Sequence, residues 1–318
     1  MRCSSCSLDA AIYIRHLRRA LCPAHLEQYL VEKVRRVVEG HLPPRGGLLL
    51  VAVSGGKDSA AAASLLKELS GEAGFRLGLV HVDLNIGSYS EACRRAAVEL
   101  AESIGAPIAL IDLEGVLGAG VVEVAERVGR PTCSACGVVK RYLLNLAALE
   151  AGAHRLATGH NLDDIAAYAL KAHLTQEGDY ASKLLRHTEG FEGFVGRLRP
   201  LMEVEEREAL VYALSKPLPF SHEECPHFNR RGIELKAKRF LMSVEADSPG
   251  FKASFIRRLA KRPPVGGAEP RLGRCDLCGL PSSAGRCAFC RMMRRALGEA
   301  WEPGALRGAV AEAVAKLK

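Results

Sequence analysis

Leu48-Leu49-Leu50-Val51-Ala52-Val53-Ser54-Gly55-Gly56-Lys57-Asp58-Ser59 is the stretch that decides the fold. An apolar run breaks into Ser-Gly-Gly-Lys-Asp-Ser and then into the alanine-rich segment 60–69, which reads as a buried strand, a tight turn and a helix opened by Ser59. Glycines let a turn adopt backbone conformations closed to other residues, so that successive N–H groups converge on one anion at a helix N-terminus. The turn is therefore a phosphate cradle. It is not the Walker pattern, because the two glycines are adjacent and Lys57 is followed by Asp58. An ordinary strand-to-helix turn has no need of Gly-Gly-Lys.

Working outward, residues 75–82 form a second apolar strand ending at His81-Val82-Asp83, 107–113 a third and 153–158 a fourth. Helical segments fall between them, at 91–103 and beyond 137, with 85–90 as a loop and Cys93 as a small buried hydrophobe. This alternation predicts an α/β fold with a doubly wound parallel sheet, whose crevice lies at the carboxyl ends of the strands. Val82 is then placed to touch a base or ribose. The turn Gly159-His160-Asn161-Leu162-Asp163-Asp164 leaves the fourth strand with two acids, suited to holding magnesium or orienting a nucleophile, although one of them serves equally well as a helix cap. Farther on, 171–197 reads as a polar, mobile excursion, 197–201 as a short edge strand and 205–214 as a helix. Residues 228–262 read as helical and basic, 263–270 as a linker and 305–318 as a terminal helix.

The chain has 318 residues, enough for one large α/β domain with appendages, and 44 basic against 36 acidic residues give a formal charge of +8. Such a balance favours a polyanionic partner, nucleic acid first. Arg15, His16, Arg18 and Arg19, then Arg257, Arg258, Lys261 and Arg262, then Arg291, Arg294 and Arg295 form basic groups. Scarce Gln and Asn beside abundant Arg, Glu and Ala hint at a hot-growing source. There is no membrane-spanning run and no basic-then-apolar leader, so a cytoplasmic protein is expected. Trp301, the single tryptophan, reads as a packing anchor.

Eleven cysteines in a reducing compartment point to metal ligands or catalytic thiols. Cys3-x-x-Cys6 and Cys22-x-x-His25 supply three thiolates and an imidazole for a structural zinc; Cys275-x-x-Cys278 and Cys287-x-x-Cys290 form a second, ribbon-like zinc site. Thr132-Cys133-Ser134-Ala135-Cys136-Gly137 opens a helix, where the dipole with Lys140 and Arg141 favours thiolates. That pair alone is ambiguous among redox disulfide, persulfide carrier and half a metal site. Cys225, in His222-Glu223-Glu224-Cys225-Pro226, offers a third thiol for a metal centre with a vacant position. The boundaries expected are an N-terminal zinc finger at 1–28, a helix and linker at 29–46, the phosphate-loop domain at 47–216, a basic helical segment at 217–270, the zinc ribbon at 271–295 and a terminal helix at 296–318.

Taken together, these residues resemble the tRNA 2-thiouridine synthetases of the TtuA type and their wobble-uridine relatives, members of the PP-loop superfamily that splits ATP between its α- and β-phosphates. The resemblance rests on the two four-ligand sets, the loop Ser54-Gly55-Gly56-Lys57-Asp58-Ser59, the segment from Cys133 to Tyr142, Ala157-Thr158-Gly159-His160-Asn161-Leu162-Asp163-Asp164 and the segment around Cys225. It does not extend to 171–196. It implies ATP with Mg2+ along Ala52, Val53, Ser54, Gly55, Gly56, Lys57, Asp58, Ser59, Val82 and Gly159, and a [4Fe-4S] cluster on Cys133, Cys136 and Cys225. It also implies catalytic roles for Lys140 and Asp164, two structural zinc ions, tRNA as partner, a ubiquitin-like sulfur carrier ending in a thiocarboxylate, and a homodimer. The expected reaction adenylates the C2 oxygen of a tRNA uridine, T-loop 5-methyluridine favoured, and replaces it with sulfur. Alternatives are the wobble uridine as target, a persulfide enzyme without a cluster, and a non-catalytic tRNA-binding zinc scaffold.

Overall fold

The computed structural model describes residues 1–175, 187–261 and 272–318. A hairpin of β1 (Ile12–Ile14) and β2 (Arg19–Leu21) leads into helix α1 (Pro23–Val38). Strands and helices then alternate: β3 (Leu48–Ala52), α2 (Lys57–Ala73), β4 (Arg76–Asp83), α3 (Gly87–Ser103) and β5 (Ile108–Asp112). Two short helices, α4 (Leu113–Leu117) and α5 (Val121–Arg127), precede α6 (Thr132–Glu150), β6 (Arg155–Thr158) and α7 (Leu162–Leu174). Strand β7 (Gly196–Leu198) and helices α8 (Glu206–Ser215), α9 (Ile233–Asp247) and α10 (Phe251–Ala260) follow. The chain closes with the strand pair β8 (Gly273–Arg274) and β9 (Pro281–Ser282), then α11 (Ala288–Leu297) and α12 (Gly304–Val314).

Period-two burial along β3 builds two cores. Leu49 and Val51 pack with Leu26, Leu30 and Leu65 on one face of the sheet. Leu48 and Leu50 pack with Leu143, Leu146 and Val310 on the other. A strand covered on both faces belongs to a parallel sheet, and the order β5-β4-β3-β6-β7 is parallel at every pairing. The first strand of this sheet stands at its centre, so the chain winds outward to one side and then to the other. The switch between β3 and β6 opens the crevice.

Each cysteine module is fused to a different face. Ile12, Ile14 and Leu21 of the first belong to the core under α1 and α2, whereas Cys275, Phe289, Cys290 and Met293 of the second belong to the core under α6. Tyr142 of α6 stacks on Phe289 at 3.8 Å and 7°. Trp301 meets the same ring edge-on at 6.0 Å, a packing anchor as its context suggests.

Several local expectations need correction. The stretch 228–262 is broken into α9 and α10, because Pro249 precedes Gly250, whose φ is +91°. Helix α3 begins at Gly87, so the loop before it is shorter than its polar composition suggests. Residues 171–174 complete α7 instead of starting an excursion, and α2 opens at Lys57 rather than Ser59. Of the remainder, 176–186 lies outside the described residues, as do Arg262 and the expected linker at 263–270, while 188–197 folds back on itself through bridges of Thr188 with Arg197 and Phe191 with Phe194.

Neither acid of the Asp163-Asp164 pair caps α7. Asn161 does, its Oδ1 accepting from the Asp164 N–H at 2.9 Å. Asp163 is structural instead: Lys252 Nζ donates to it at 2.7 Å, both side chains are 4 % exposed, and the Glu206 N–H donates at 2.8 Å. One buried carboxylate thus ties α7 to α10 and to the start of α8. Asp163→Ala leaves the buried Lys252 with the longer contact to Glu205 at 3.4 Å, so it is expected to cost about 3 kcal/mol in urea unfolding, the low end for a broken buried pair. Pairing it with Lys252→Met should recover most of that loss; a double variant no more stable than the single one contradicts the assignment.

Candidate active site

The cradle is built by close backbone approach. Gly55 sits at φ +85°, and a Cβ there would stand 2.6 Å from Cys93 Cα. Glycine is required on both counts. Gly56 is the N-cap position of α2, and Ser59 folds the turn back on itself: its hydroxyl accepts from the Ser54 N–H at 3.1 Å and donates to the Gly56 carbonyl at 2.8 Å. The turn after β6 leans on the same point, since a Cβ on Gly159 would meet Ser59 Cα and N at 2.8 Å. Asn161 Nδ2 donates to Asp58 Oδ1 at 3.1 Å, locking the two turns together. All the residues expected around a nucleotide therefore gather at the carboxyl edge of β3, β4 and β6.

Beside the cradle, between β3, β4, α3 and α6, lies a cavity lined by Ala52, Val53, Ser54, Val82, Tyr89 and Lys140 among others. His81 also lines it, donating from Nδ1 to the Val53 carbonyl at 2.8 Å; burial holds its pKa below the usual imidazole value, against the pull of that bond. His81 is thus a neutral brace under the start of the cradle. Tyr89, in the helix misread as a loop, and His81, inside an apolar strand, gave no chemical signal in the sequence.

A chain of alternating charges runs from the cradle to Asp164. Lys57 Nζ lies 2.8 Å from Asp58 Oδ2 and 2.8 Å from Glu206 Oε1. Lys238 Nζ lies 2.9 Å from Glu206 Oε2 and 2.8 Å from Asp164 Oδ1. Burial pushes the Glu206 carboxyl up, but the two lysines outweigh it and hold the group at about 2. Both Lys57 and Lys238 are raised, the carboxylates overcoming burial. Glu206 and Lys238 were invisible in the sequence, where each is one charge among many on an amphipathic helix.

The thiols arrive from two elements. Cys133 and Cys136 occupy the first turns of α6, and the segment carrying Cys225 folds over the cradle, with the Ser221 N–H donating to the Gly55 carbonyl at 2.7 Å. Cys133 Sγ donates to the His227 carbonyl at 3.0 Å, while Cys136 and Cys225 pack half-buried against one core. Burial pushes the Cys136 thiol up, against the pull of Lys140. The donor set, three free thiols on a shared surface, fits a cluster that leaves one iron open.

The two outer sets are tighter. Cys3, Cys6, Cys22 and His25 bring four ligand atoms within 4.8 Å of one another, as do Cys275, Cys278, Cys287 and Cys290. Cys6 and Cys22 sulfurs are 3.7 Å apart and those of Cys278 and Cys287 3.9 Å. A tetrahedral zinc with Zn–S near 2.3 Å spaces its sulfurs by roughly 3.8 Å, so both sets fit. Cys133, Cys136 and Cys225 form no such compact group among the described residues.

The closeness at Gly159 is testable. Gly159→Ala forces the β6 turn off the N-terminus of α2, and ATP affinity measured by calorimetry is expected to fall about tenfold or more while zinc content stays constant. Unchanged affinity would show that the two turns do not form one site.

A PP-loop domain model matches residues 27–230. The chain is 38% identical over 297 residues to the tRNA-5-methyluridine(54) 2-sulfurtransferase of Pyrococcus horikoshii, covering 92% of this chain and 93% of that one. It is 37% identical over 300 residues to the enzyme of the same name from Thermus thermophilus, covering 92% and 91%. Among solved structures it is similar to the U34-tRNA thiolase NcsA from Methanococcus maripaludis with its [4Fe-4S] cluster, at TM-score 0.79 and 26% identity over 94% of this chain and 97% of that one. With a PP-loop domain over most of its length and curated relatives at this identity and coverage, the chain belongs to the PP-loop family of tRNA 2-sulfurtransferases.

Proposed function

We propose that this protein uses ATP to adenylate the C2 oxygen of a tRNA uridine, the T-loop 5-methyluridine in the first instance, and exchanges that oxygen for sulfur. One observation carries the reading. Lys140 lines the nucleotide cavity and stands four residues, one turn, after Cys136 on α6, so a single helix face joins the phosphate cradle to the thiols. A redox pair or a tRNA-binding scaffold needs no such junction.

A uridine carbonyl oxygen is a poor leaving group, and activation therefore comes first. The C2 oxygen attacks the α-phosphorus, the bond from that phosphorus to the bridging oxygen breaks, and pyrophosphate departs with the electron pair. Lys57 and the N-terminal amides of α2 stabilise the departing charge. The N3 proton of the uridine is lost as O2 becomes bonded to phosphorus; in this reading Asp164 accepts it, and Lys140 stabilises charge on the activated base. Val53, Ser54 and Val82 border the space for adenine and ribose, and Gly159, by having no side chain, lets the turn after β6 close against the N-terminus of α2, where the phosphates would sit. Cys133, Cys136 and Cys225 would hold the [4Fe-4S] cluster, which when bound supplies an open iron position that carries sulfur. Sulfur attack on C2 then expels AMP, which takes the original oxygen with it.

The same reading includes Mg2+ accompanying ATP, zinc in both outer sets, a ubiquitin-like carrier with a C-terminal thiocarboxylate as sulfur source, a homodimer and a cytoplasmic setting. No described helix is long and apolar enough to cross a membrane. For tRNA, Arg15 of the N-terminal module lies against the α9–α10 corner, its Nη1 donating to the Ala246 carbonyl at 3.4 Å, so two of the basic groups adjoin. The wobble uridine is the second reading, favoured by the name of the solved neighbour; mass spectrometry of nucleosides from tRNA of a deletion strain separates the two.

Activation and sulfur delivery are separable by substitution. Lys57→Ala is expected to abolish adenylation and thiolation while keeping full iron and labile sulfide. Cys133→Ala should lose the cluster and thiolation, yet bind ATP as the parent does. Anaerobic iron analysis, ATP calorimetry and nucleoside quantification check both, and a cluster-free Cys133→Ala that thiolates at the parental rate overturns the reading.

A further inference from the structure

We infer that Lys238 is a second pyrophosphate-binding cation of this site, and that the Glu206 carboxylate is the exchangeable anion that holds it in register with Lys57. The inference rests on the adenylation reading above and adds a residue to it. Glu206 spends one oxygen on each lysine, at 2.8 Å and 2.9 Å. Two ammonium groups on separate oxygens of one anion is the arrangement that a bridging phosphate demands. The side chains concerned are 19–34% exposed, open enough for exchange with a ligand and dry enough for the charges to matter.

Charge counting singles out Glu206. Lys57 and Lys238 contribute +2, and Asp58, Glu206 and Asp164 contribute −3, leaving −1 beside a cradle built for anions. A triphosphate entering this network is repelled until a carboxylate withdraws. Asp58 is anchored by Asn161 as well as by Lys57. Asp164 holds Lys238 alone. Withdrawal of Glu206 frees a hydrogen-bonding direction on both lysines at once, and no other single movement does so.

The placement of Lys238 follows from the fold. Helix α9 packs along α7 through Leu241, with Ile165 and Ala166 in the same small core, so Lys238, one turn before Leu241, is carried to the N-terminal end of α7 beside Asp164. A residue far from the cradle in sequence is thereby delivered to it. As the α-phosphorus–oxygen bond breaks, negative charge accumulates on the pyrophosphate, and Lys57 and Lys238 neutralise it from two sides; no proton leaves either ammonium group.

Binding of inorganic pyrophosphate, α,β-methylene-ATP and AMP to the full-length, cluster-containing protein tests this by calorimetry. Lys238→Ala should weaken pyrophosphate and the analogue by about tenfold or more, the loss of one charge-assisted hydrogen bond, with AMP affinity unchanged. Lys238→Arg should restore most of it. Glu206→Gln should tighten both phosphate ligands by removing their competitor. Pyrophosphate affinity unchanged in Lys238→Ala, an equal loss for AMP, or weaker binding in Glu206→Gln each overturns the assignment. These readouts require no turnover, so failure of adenylation in the parent would count against the proposed reaction and leave the binding result to be judged separately.

Discussion

The structure turns on the N-terminus of α2 being approached by backbone on two sides. At Gly55 the approaching atoms belong to Cys93 of α3, and at Gly159 the turn after β6 meets Ser59. Any side chain at either glycine separates elements that must touch, because packed interiors leave no slack at that distance. The consequence is a cradle fixed by sterics, with its amides aimed by the helix rather than by flexible side chains. The Ser59 hydroxyl is used to tie the turn to itself.

Around that fixed point the molecule separates tasks by element. Helix α2 presents its N-terminal amides to the cradle, α6 carries thiols at its start and Lys140 a turn later, and α7 brings Asp164. The segment bearing Cys225 crosses over the cradle and is pinned to it by the Gly55 carbonyl. The two cysteine modules share cores with opposite faces of the sheet, so each end of the chain is tied into the packing that supports the site. Their basic segments extend the surface available to a polyanion without entering the chemistry.

Much of this was legible beforehand because it is written in local pattern. Leu48 to Val53 followed by Gly-Gly-Lys announces strand, cradle and helix; paired Cys-x-x-Cys spacings announce closed metal sites; a cysteine pair at a helix start announces reactive sulfur. What escaped has a common cause. Glu206 and Lys238 acquire meaning only when α8 and α9 are folded onto the cradle, and their charges look like those of any solvated helix face. Asp163 was weighed as a cap or a magnesium ligand, whereas burial beside Lys252 makes it a structural ion pair. Asn161, a residue type at home in such turns, took the capping role. Short helices such as α4 and α5 carry too few turns for periodicity to register.

The account stands on activation preceding, and not depending on, sulfur supply. Exchange of radiolabelled pyrophosphate into ATP by the full-length protein, with substrate tRNA present and every sulfur donor omitted, measures that step alone. The account predicts exchange that requires the unmodified tRNA and proceeds at a rate unaffected by adding sulfide. Exchange that begins only when sulfur is supplied, or release of ADP and phosphate in place of pyrophosphate, would contradict it.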